Sequence, residues 1–403
     1  MQIKLLKNLE ERPERMLEVR ELKKNKEELL PFIHFAWQIY QGDPYWVAPL
    51  KNDLLKSFLG KDSSKKIQCG PHAFFMVWEN NTPLGRILVG INEKKNRKTK
   101  QRVGYFGYLE LVNSSEVLKC LMEYAVNWLK NQDVTTLIGP LCPDDDVEGR
   151  GLLIKGFDSS PVLMNSYNPD YYRKLLEEYG FKKDTDFFAY YSNQIANLRA
   201  RVEKVSAFAM QKYRFRIDQI NLKRRDQEIR DIIKIIDTIV SDSREEDNGF
   251  EYANPPTYEE FALEVKKFLP FLDKDLIYIA RSGEIPIGFV FAFPDYNQVL
   301  KRMNGTLFPF GLFQYLWYKR KIKGIRGLAQ YVIPEFRNKA VNAAIFSQIL
   351  NVAEQKKYEY IEGSLISENN LRSRRIFENA GIQPYKIYRV YRRELGVDIQ
   401  DSI

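Results

Sequence analysis

One order of secondary structure runs through this chain twice, and few architectures accommodate such a repetition. In the first half a strand at 17–22 precedes a helix at 26–40, with Leu29, Leu30, Ile33, Trp37 and Tyr40 on one side. A hairpin follows (73–79, a turn at 80–83, a return at 84–91), then a long aromatic strand at 103–112. A helix at 116–131, capped by Ser114 or Ser115, a strand at 135–141, a helix at 168–179 closed by Gly180 and a strand at 187–191 complete the pass. The second half reads strand 215–221, helices 226–240 and 258–268, and hairpin 276–281 with 285–294. Long strand 326–333, helix 339–355, strand 360–365, helix 371–379 and strand 385–392 follow. Each pass is far longer than a solenoid unit, so each is a domain. The expected class is mixed α/β (α+β), with a mixed, mainly antiparallel sheet flanked by helices in each half. The expected boundaries are 1–195 and 214–396, with a connecting helix at 196–213 and a tail at 397–403.

Composition narrows the chemistry. Over 403 residues the formal charge is +9, which suits an anionic ligand such as a phosphorylated cofactor and does not demand nucleic acid. The basic run 94–102 reads as a solvated loop tip. Three cysteines (Cys69, Cys120, Cys142) without a Cys-x-x-Cys pair argue for a reducing compartment and against a disulfide frame or zinc site. Two histidines, His34 and His72, leave almost no room for serine–histidine–acid or histidine–metal catalysis. The run Asp144-Asp145-Asp146 sits in a Pro/Gly-rich loop and reads as a solvated turn, so no metal is assigned. With a charged N-terminus and no apolar run of spanning length, the expectation is a cytoplasmic, soluble protein.

Residues 328–346 carry the most chemical information. Leu328, Tyr331, Val332 and Ile333 form a strand that Pro334 stops, and Val341, Ala344, Ile345, Ile349, Val352 and Ala353 recur at helical spacing. A strand, a turn and a helix start expose unpaired N–H groups at the positive end of a helix, an anion site with Arg337 beside it. The physical expectation is a pyrophosphate at 337–342.

This stretch resembles the acyl-CoA-binding motif of the GNAT acetyltransferase superfamily, in which a strand leads into Arg/Gln-x-x-Gly-x-Gly/Ala. The six positions are Arg337, Asn338, Lys339, Ala340, Val341 and Asn342. The arginine matches, while Ala340 and Asn342 stand where the family has small residues. The family's terminal-helix pattern is met by Asn370, Ser373, Phe377, Gly381 and Ile382, and in part by Asn168 and Gly180-Phe181 in the first half. The order of elements is that of the GNAT fold, here in tandem. The whole chain also resembles a family of uncharacterised bacterial tandem-GNAT proteins through Gly42-Asp43-Pro44, Trp46-Val47, Gly85-Arg86-Ile87, Gly139-Pro140, Gly156-Phe157-Asp158 and Tyr167-Asn168-Pro169.

The resemblance implies acetyl-CoA or a longer acyl-CoA as cosubstrate, its pantetheine along Gln330, Tyr331 and Val332, and an unidentified amine as acceptor. The amine attacks the thioester and a base removes its proton. Glu362, Glu368 and Tyr388 are the candidate catalytic residues, with Tyr391 also on the final strand and Glu110 the first-half analogue of the base. Each has a structural alternative as a salt-bridged carboxylate or a sheet tyrosine. The family's usual acid, a tyrosine, is replaced by Phe377. The first half lacks the binding turn, placing Glu116 near its helix start, and is expected to bind no CoA. The expected activity is N-acyl transfer in the second half, against a rival reading as a non-catalytic ligand-sensing or interaction module. The insertion 298–323 combines aromatics at 307–318 with Lys319-Arg320-Lys321. It suits a helix packed on its own domain or a second copy, a lid over an acyl pocket, or a peripheral membrane contact through 307–321.

Overall fold

The computed structural model describes residues 16–61, 70–142, 149–241, 252, 255–307 and 310–396. Cys69, Asp144-Asp145-Asp146 and the tail 397–403 lie outside the described residues. The first half contains β1 (Leu17–Leu22), α1 (Lys26–Ile39), α2 (Lys51–Phe58), β2 (His72–Glu79), β3 (Thr82–Ile91), α3 (Glu93–Thr99) and β4 (Val103–Leu111). It continues through α4 (Ser115–Lys130), β5 (Thr136–Gly139), β6 (Leu152–Lys155), α5 (Tyr171–Glu178) and β7 (Lys182–Ser192). The connector α6 (Ile195–Tyr213) leads to β8 (Arg216–Gln219), α7 (Arg225–Val240), α8 (Tyr258–Phe268), β9 (Ile277–Ser282) and β10 (Ile285–Pro294). After α9 (Asn297–Met303) and α10 (Phe310–Tyr318) come β11 (Gly324–Val332), α11 (Val341–Gln355), β12 (Tyr360–Ser367), α12 (Leu371–Glu378) and β13 (Pro384–Glu394).

The duplicated order is present, but the two expected sheets are one. Among the described residues the strands run β1-β2-β3-β4-β5-β13-β7-β12-β11-β10-β9-β8, with β6 on β13 off this path. The closing strands are exchanged. Strand β13, from the end of the chain, pairs with β5 (Tyr391 opposite Gly139), and β7, from the first half, pairs with β12 (Ile361 opposite Ser192). The two meet antiparallel at the centre, Ile387 opposite Phe188. Tyr391 and Leu395 accordingly pack in the core of the first half, beside Leu121, Leu137 and Phe181. Strand alternation specifies which side chains point inward but not which neighbour a strand takes, so this exchange left no mark in the periodicity.

Two further differences have local causes. The basic run 94–102 is partly helical: Asn92 caps α3 by accepting from Lys95 N, and Lys95 is buried. Strand β6 is too short, four residues beside Gly151 and Gly156, to display an alternation. The cores themselves follow the expected faces. In the second half Ile232, Ile235, Ile236 and Ile239 of α7 and Ile345 and Ile349 of α11 enclose Phe289 and Ile325. Helix α6 lies along α11 and places Leu198 and Val202 on that core.

Candidate functional site

Strand β11 changes partners along its length. Gly324 to Gly327 pair in parallel with Tyr360 to Gly363 of β12. Beyond Gly327 that pairing ends, while β10 holds the other edge as far as Val332 opposite Gly288. Residues 327–331, in the middle of a large sheet, are only half-buried. The two strands therefore splay and leave backbone groups of β11 facing a cleft.

The splay runs into the turn before α11. Pro334–Phe336 form a 3-10 turn, and the Phe336 and Arg337 amides donate to the Ile333 and Pro334 carbonyls (3.0 and 3.2 Å). Asn338 and Ala340 have φ of 60° and 54°, the left-handed region. Asparagine tolerates it, but Ala340 bears a β-carbon there, which explains a glycine preference at this position. Ala340 is the N-cap of α11, and among the described residues no side-chain cap hydrogen bond closes the helix start. Its first N–H donors thus keep the anion-binding character of an open helix start. Arg337 Nε donates to Val332 O (3.3 Å), which pins the guanidinium against the strand end, and Lys339 Nζ lies 4.5 Å from the centre of the Phe336 ring.

Across the cleft, Gln330 Nε2 donates to Ser373 Oγ (3.2 Å), while Asn370 Oδ1 accepts from Ser373 N (3.0 Å) and caps α12. Gln330 Oε1 and Asn342 Oδ1 are buried without a hydrogen-bond partner among the described residues. Two orphaned amide oxygens at the cleft fit a ligand with donors, such as the amides of a pantetheine arm. Phe377 stacks on Tyr190 of β7 (4.7 Å between centroids) and covers Gly363. Gln330, Tyr331, Val332, Arg337, Asn338, Lys339, Ala340, Val341, Asn342, Asn370, Ser373 and Phe377 are thereby distributed over β11, its turn, α11 and α12.

A second cluster lies where β11 and β12 still pair. Glu362 is fully buried. Its carboxylate accepts from Ser364 Oγ (2.8 Å), Asn165 Nδ2 (3.3 Å) and Tyr385 OH (3.4 Å). Burial pushes its pKa up to about 7 against the pull of the neighbouring Arg326 guanidinium. Arg326, also fully buried, donates to Leu163 O and Ser364 O. Tyr388 is buried with its hydroxyl unpartnered among the described residues, and burial together with Glu362 raises its pKa. Asp295 accepts from Tyr360 OH (2.6 Å) and from the Leu163 amide (2.9 Å), and burial raises its pKa. Lys386 donates to Gly156 O and Ser159 O, and burial lowers its pKa to about 8. Asn165, Leu163, Gly156 and Ser159 belong to the first half, so this cluster is composite. Nothing in the sequence linked them to Glu362.

Glu368 has a different role. It accepts from Lys183 Nζ (2.6 Å) and the Asp186 amide (3.1 Å), tying the end of β12 to β7. Tyr391 OH donates to Glu177 (3.1 Å) inside the first half.

In the first half the equivalent groups are filled from within. Strands β4 and β5 pair from Val103 to Tyr105, and the Leu141 amide adds one bond to Phe106 O (2.7 Å), so β4 too runs on past its partner. The Leu111 amide donates to Tyr172 OH (2.8 Å), and Tyr171 OH donates to Leu111 O (2.7 Å). Ser114 Oγ caps α4 by accepting from Val117 N. Glu110 accepts from Tyr40 and Tyr172, with Arg86 at 3.7 Å, and burial raises its pKa. Among the described residues no group of His, Cys, Asp and Glu is arranged to hold a metal.

No protein-family model matches the chain. Among curated proteins it is 26% identical over 382 residues to Protein YghO of Escherichia coli, covering 92% of this chain and 94% of that one. It is 26% identical over 394 residues to a bacterial ceramide synthase of Caulobacter vibrioides, covering 92% and 96%. Among solved structures, a tandem GNAT protein from the clavulanic acid biosynthesis pathway superposes with a TM-score of 0.52 at 11% identity, over 95% of this chain and 99% of that one. A GCN5-related N-acetyltransferase from Sphaerobacter thermophilus gives 0.50 at 11% identity, over 96% and 98%. Such identities establish the fold. The splayed strands, the open helix start and these superpositions agree: the chain has a tandem GNAT fold.

Proposed function

We propose that the chain transfers an acyl group from an acyl-CoA to an amine, in the cleft of its second half. The observation that carries this is the splay of β11 from β12 beyond Gly327, ending at an uncapped helix start flanked by Arg337 and Lys339. The backbone of Gln330, Tyr331 and Val332 would pair with the pantetheine, and residues 337–342 would hold the pyrophosphate. The amine nitrogen attacks the thioester carbonyl; a C–N bond forms and the C–S bond breaks. Glu362, with a pKa near 7, is the proposed proton acceptor for the amine. The thiolate is a fair leaving group and departs without the tyrosine acid that Phe377 replaces. The first half, with its Leu111 groups engaged and Ser114 capping α4, binds no CoA in this reading and serves as wall and scaffold. The likeness to a ceramide synthase over most of both chains favours an amphipathic, long-chain amino alcohol as acceptor and a long acyl donor.

Calorimetric titration of acetyl-CoA and of longer acyl-CoAs tests the reading. We expect binding that strengthens with chain length and weakens at least about tenfold in Arg337→Glu, the size of a lost charge-assisted contact. Absence of binding heat from the folded protein would sink the transferase reading and favour the non-catalytic module.

A further inference from the structure

The segment between β10 and β11 has a composition of its own: between Asp295 and Glu335 the chain carries no carboxylate side chain. Within it, α10 is packed on one side only. Tyr315 sits against Phe271 and Tyr296 (5.7 and 6.0 Å between ring centroids), and Leu307, Tyr315 and Tyr318 pack around Val299, Met303 and Ile322. The opposite side presents Phe313, Leu316 and Trp317, which are 70, 49 and 66% exposed. Positions i, i+3 and i+4 form one continuous ridge on a helix. Large apolar side chains at that exposure, side by side, are a docking feature rather than scattered surface residues.

The ridge ends in cations. Lys319, Arg320 and Lys321 follow directly on a 3-10 turn, all exposed, with no carboxylate partner among the described residues. Lys321 Nζ lies 4.8 Å from the Trp317 ring centre, and Arg302 of α9, also exposed, lies 4.2 Å from that of Tyr318. Lys321 thus borders the ridge, while Lys319 Nζ, 5.4 Å from the Tyr315 ring centre, and Arg302 flank the same helix from its packed side. Aromatic side chains that enter an apolar layer, rimmed by cations at the depth of headgroups, match the surface of an anionic bilayer. A second copy of the chain fits poorly, because a self-complementary contact would set this carboxylate-free patch against itself. No helix among the described residues is long and apolar enough to cross a membrane, so contact would be peripheral. The lid reading also loses ground. Helix α10 joins the sheet at the Gly324 end of β11, the end opposite the Val332 turn, and its ridge is exposed.

We propose that α10 and the cations that follow it dock the protein on anionic membrane surfaces, with Phe313, Leu316 and Trp317 inserted among the lipids. The docking does not depend on acyl transfer. The test is flotation of the full chain with phosphatidylcholine vesicles, with and without phosphatidylglycerol. Binding is expected only with the anionic lipid and weakens as salt is raised. Phe313→Ser with Trp317→Ser lowers partitioning at least about tenfold, from the apolar area withdrawn. Lys319→Glu with Lys321→Glu lowers it by about the same factor or more. Both pairs are solvent-facing, and circular dichroism checks that each variant stays folded. No binding to anionic vesicles, or binding by either variant equal to that of the parent chain, would overturn the proposal. Self-association in light scattering that the Phe313→Ser, Trp317→Ser variant abolishes, without vesicle binding, would assign the ridge to a second copy. Calorimetry with soluble short-chain acyl-CoA is unaffected by either pair, so failure here and failure of the transferase reading are separable.

Discussion

Glu362 and Glu368 stand on one strand and the turn after it, yet their surroundings give them opposite roles. Glu368 holds Lys183 and the Asp186 amide, while Glu362 is walled off with a carboxyl poised near neutrality. Between about 4.5, the ordinary glutamate value, and about 7 the fold keeps a proton on Glu362 that the unfolded chain has released. This group's contribution to stability therefore falls as pH rises through that window. Glu362→Gln, which stays neutral, removes the fall: denaturant midpoints measured at about pH 5 and about pH 8 should shift in the variant's favour at the higher pH. An equal difference at both would show that the carboxyl does not titrate there. In turnover, the variant should lose roughly 10²–10⁴ in kcat/KM, together with the rise in rate through about pH 7. A sequence displays the carboxylate. It does not display Asn165 and Arg326 packed around it, because those contacts join positions far apart in the chain.

At the scale of elements, the helix starts were the most legible features. Helical spacing located α4 and α11, and a serine cap at Ser114 or Ser115 was readable because a side-chain oxygen before an apolar run has one common use; the structure uses Ser114. The difference between a capped and an open start separates the two halves chemically. Helix α12 is less transparent. Its Phe377 ring lies so close to β12 that a β-carbon on Gly363 would stand 2.4 Å from Cζ. A hydroxyl added at Cζ would run toward the strand. Phe377→Tyr should therefore cost about 1–3 kcal/mol in stability from overpacking and bring no gain in kcat. Thermal or denaturant unfolding beside a steady-state assay decides this; a higher kcat at unchanged stability would mean that the ring turns freely. The ring at position 377 is thus held by packing between α12 and β12, which spacing alone does not reveal.

At the scale of the molecule, the exchange of β7 and β13 makes each half incomplete. Residues 1–195 alone would lack the strand beside β5, and residues 214–396 the strand beside β12. Each half would also leave an unpaired edge at the middle of the native sheet. We expect each half, produced separately, to aggregate or self-associate, and the two produced together to recover a one-to-one complex, read by size-exclusion chromatography with light scattering. A monomeric, cooperatively unfolding single half would contradict this. The repetition of elements was visible in the chain, because hairpin, helix and strand signals are local. The crossing of the closing strands was not, because pairing between distant strands depends on the whole sheet.

That crossing bears on how such a chain can diverge after duplication. Here the first half supplies Tyr190, against which Phe377 stacks, and Asn165, which contacts Glu362, so its terminal strand and loop are built into the packing of the second half. Substitutions there are felt in both halves at once, and inheritance acts on the pair as a single unit.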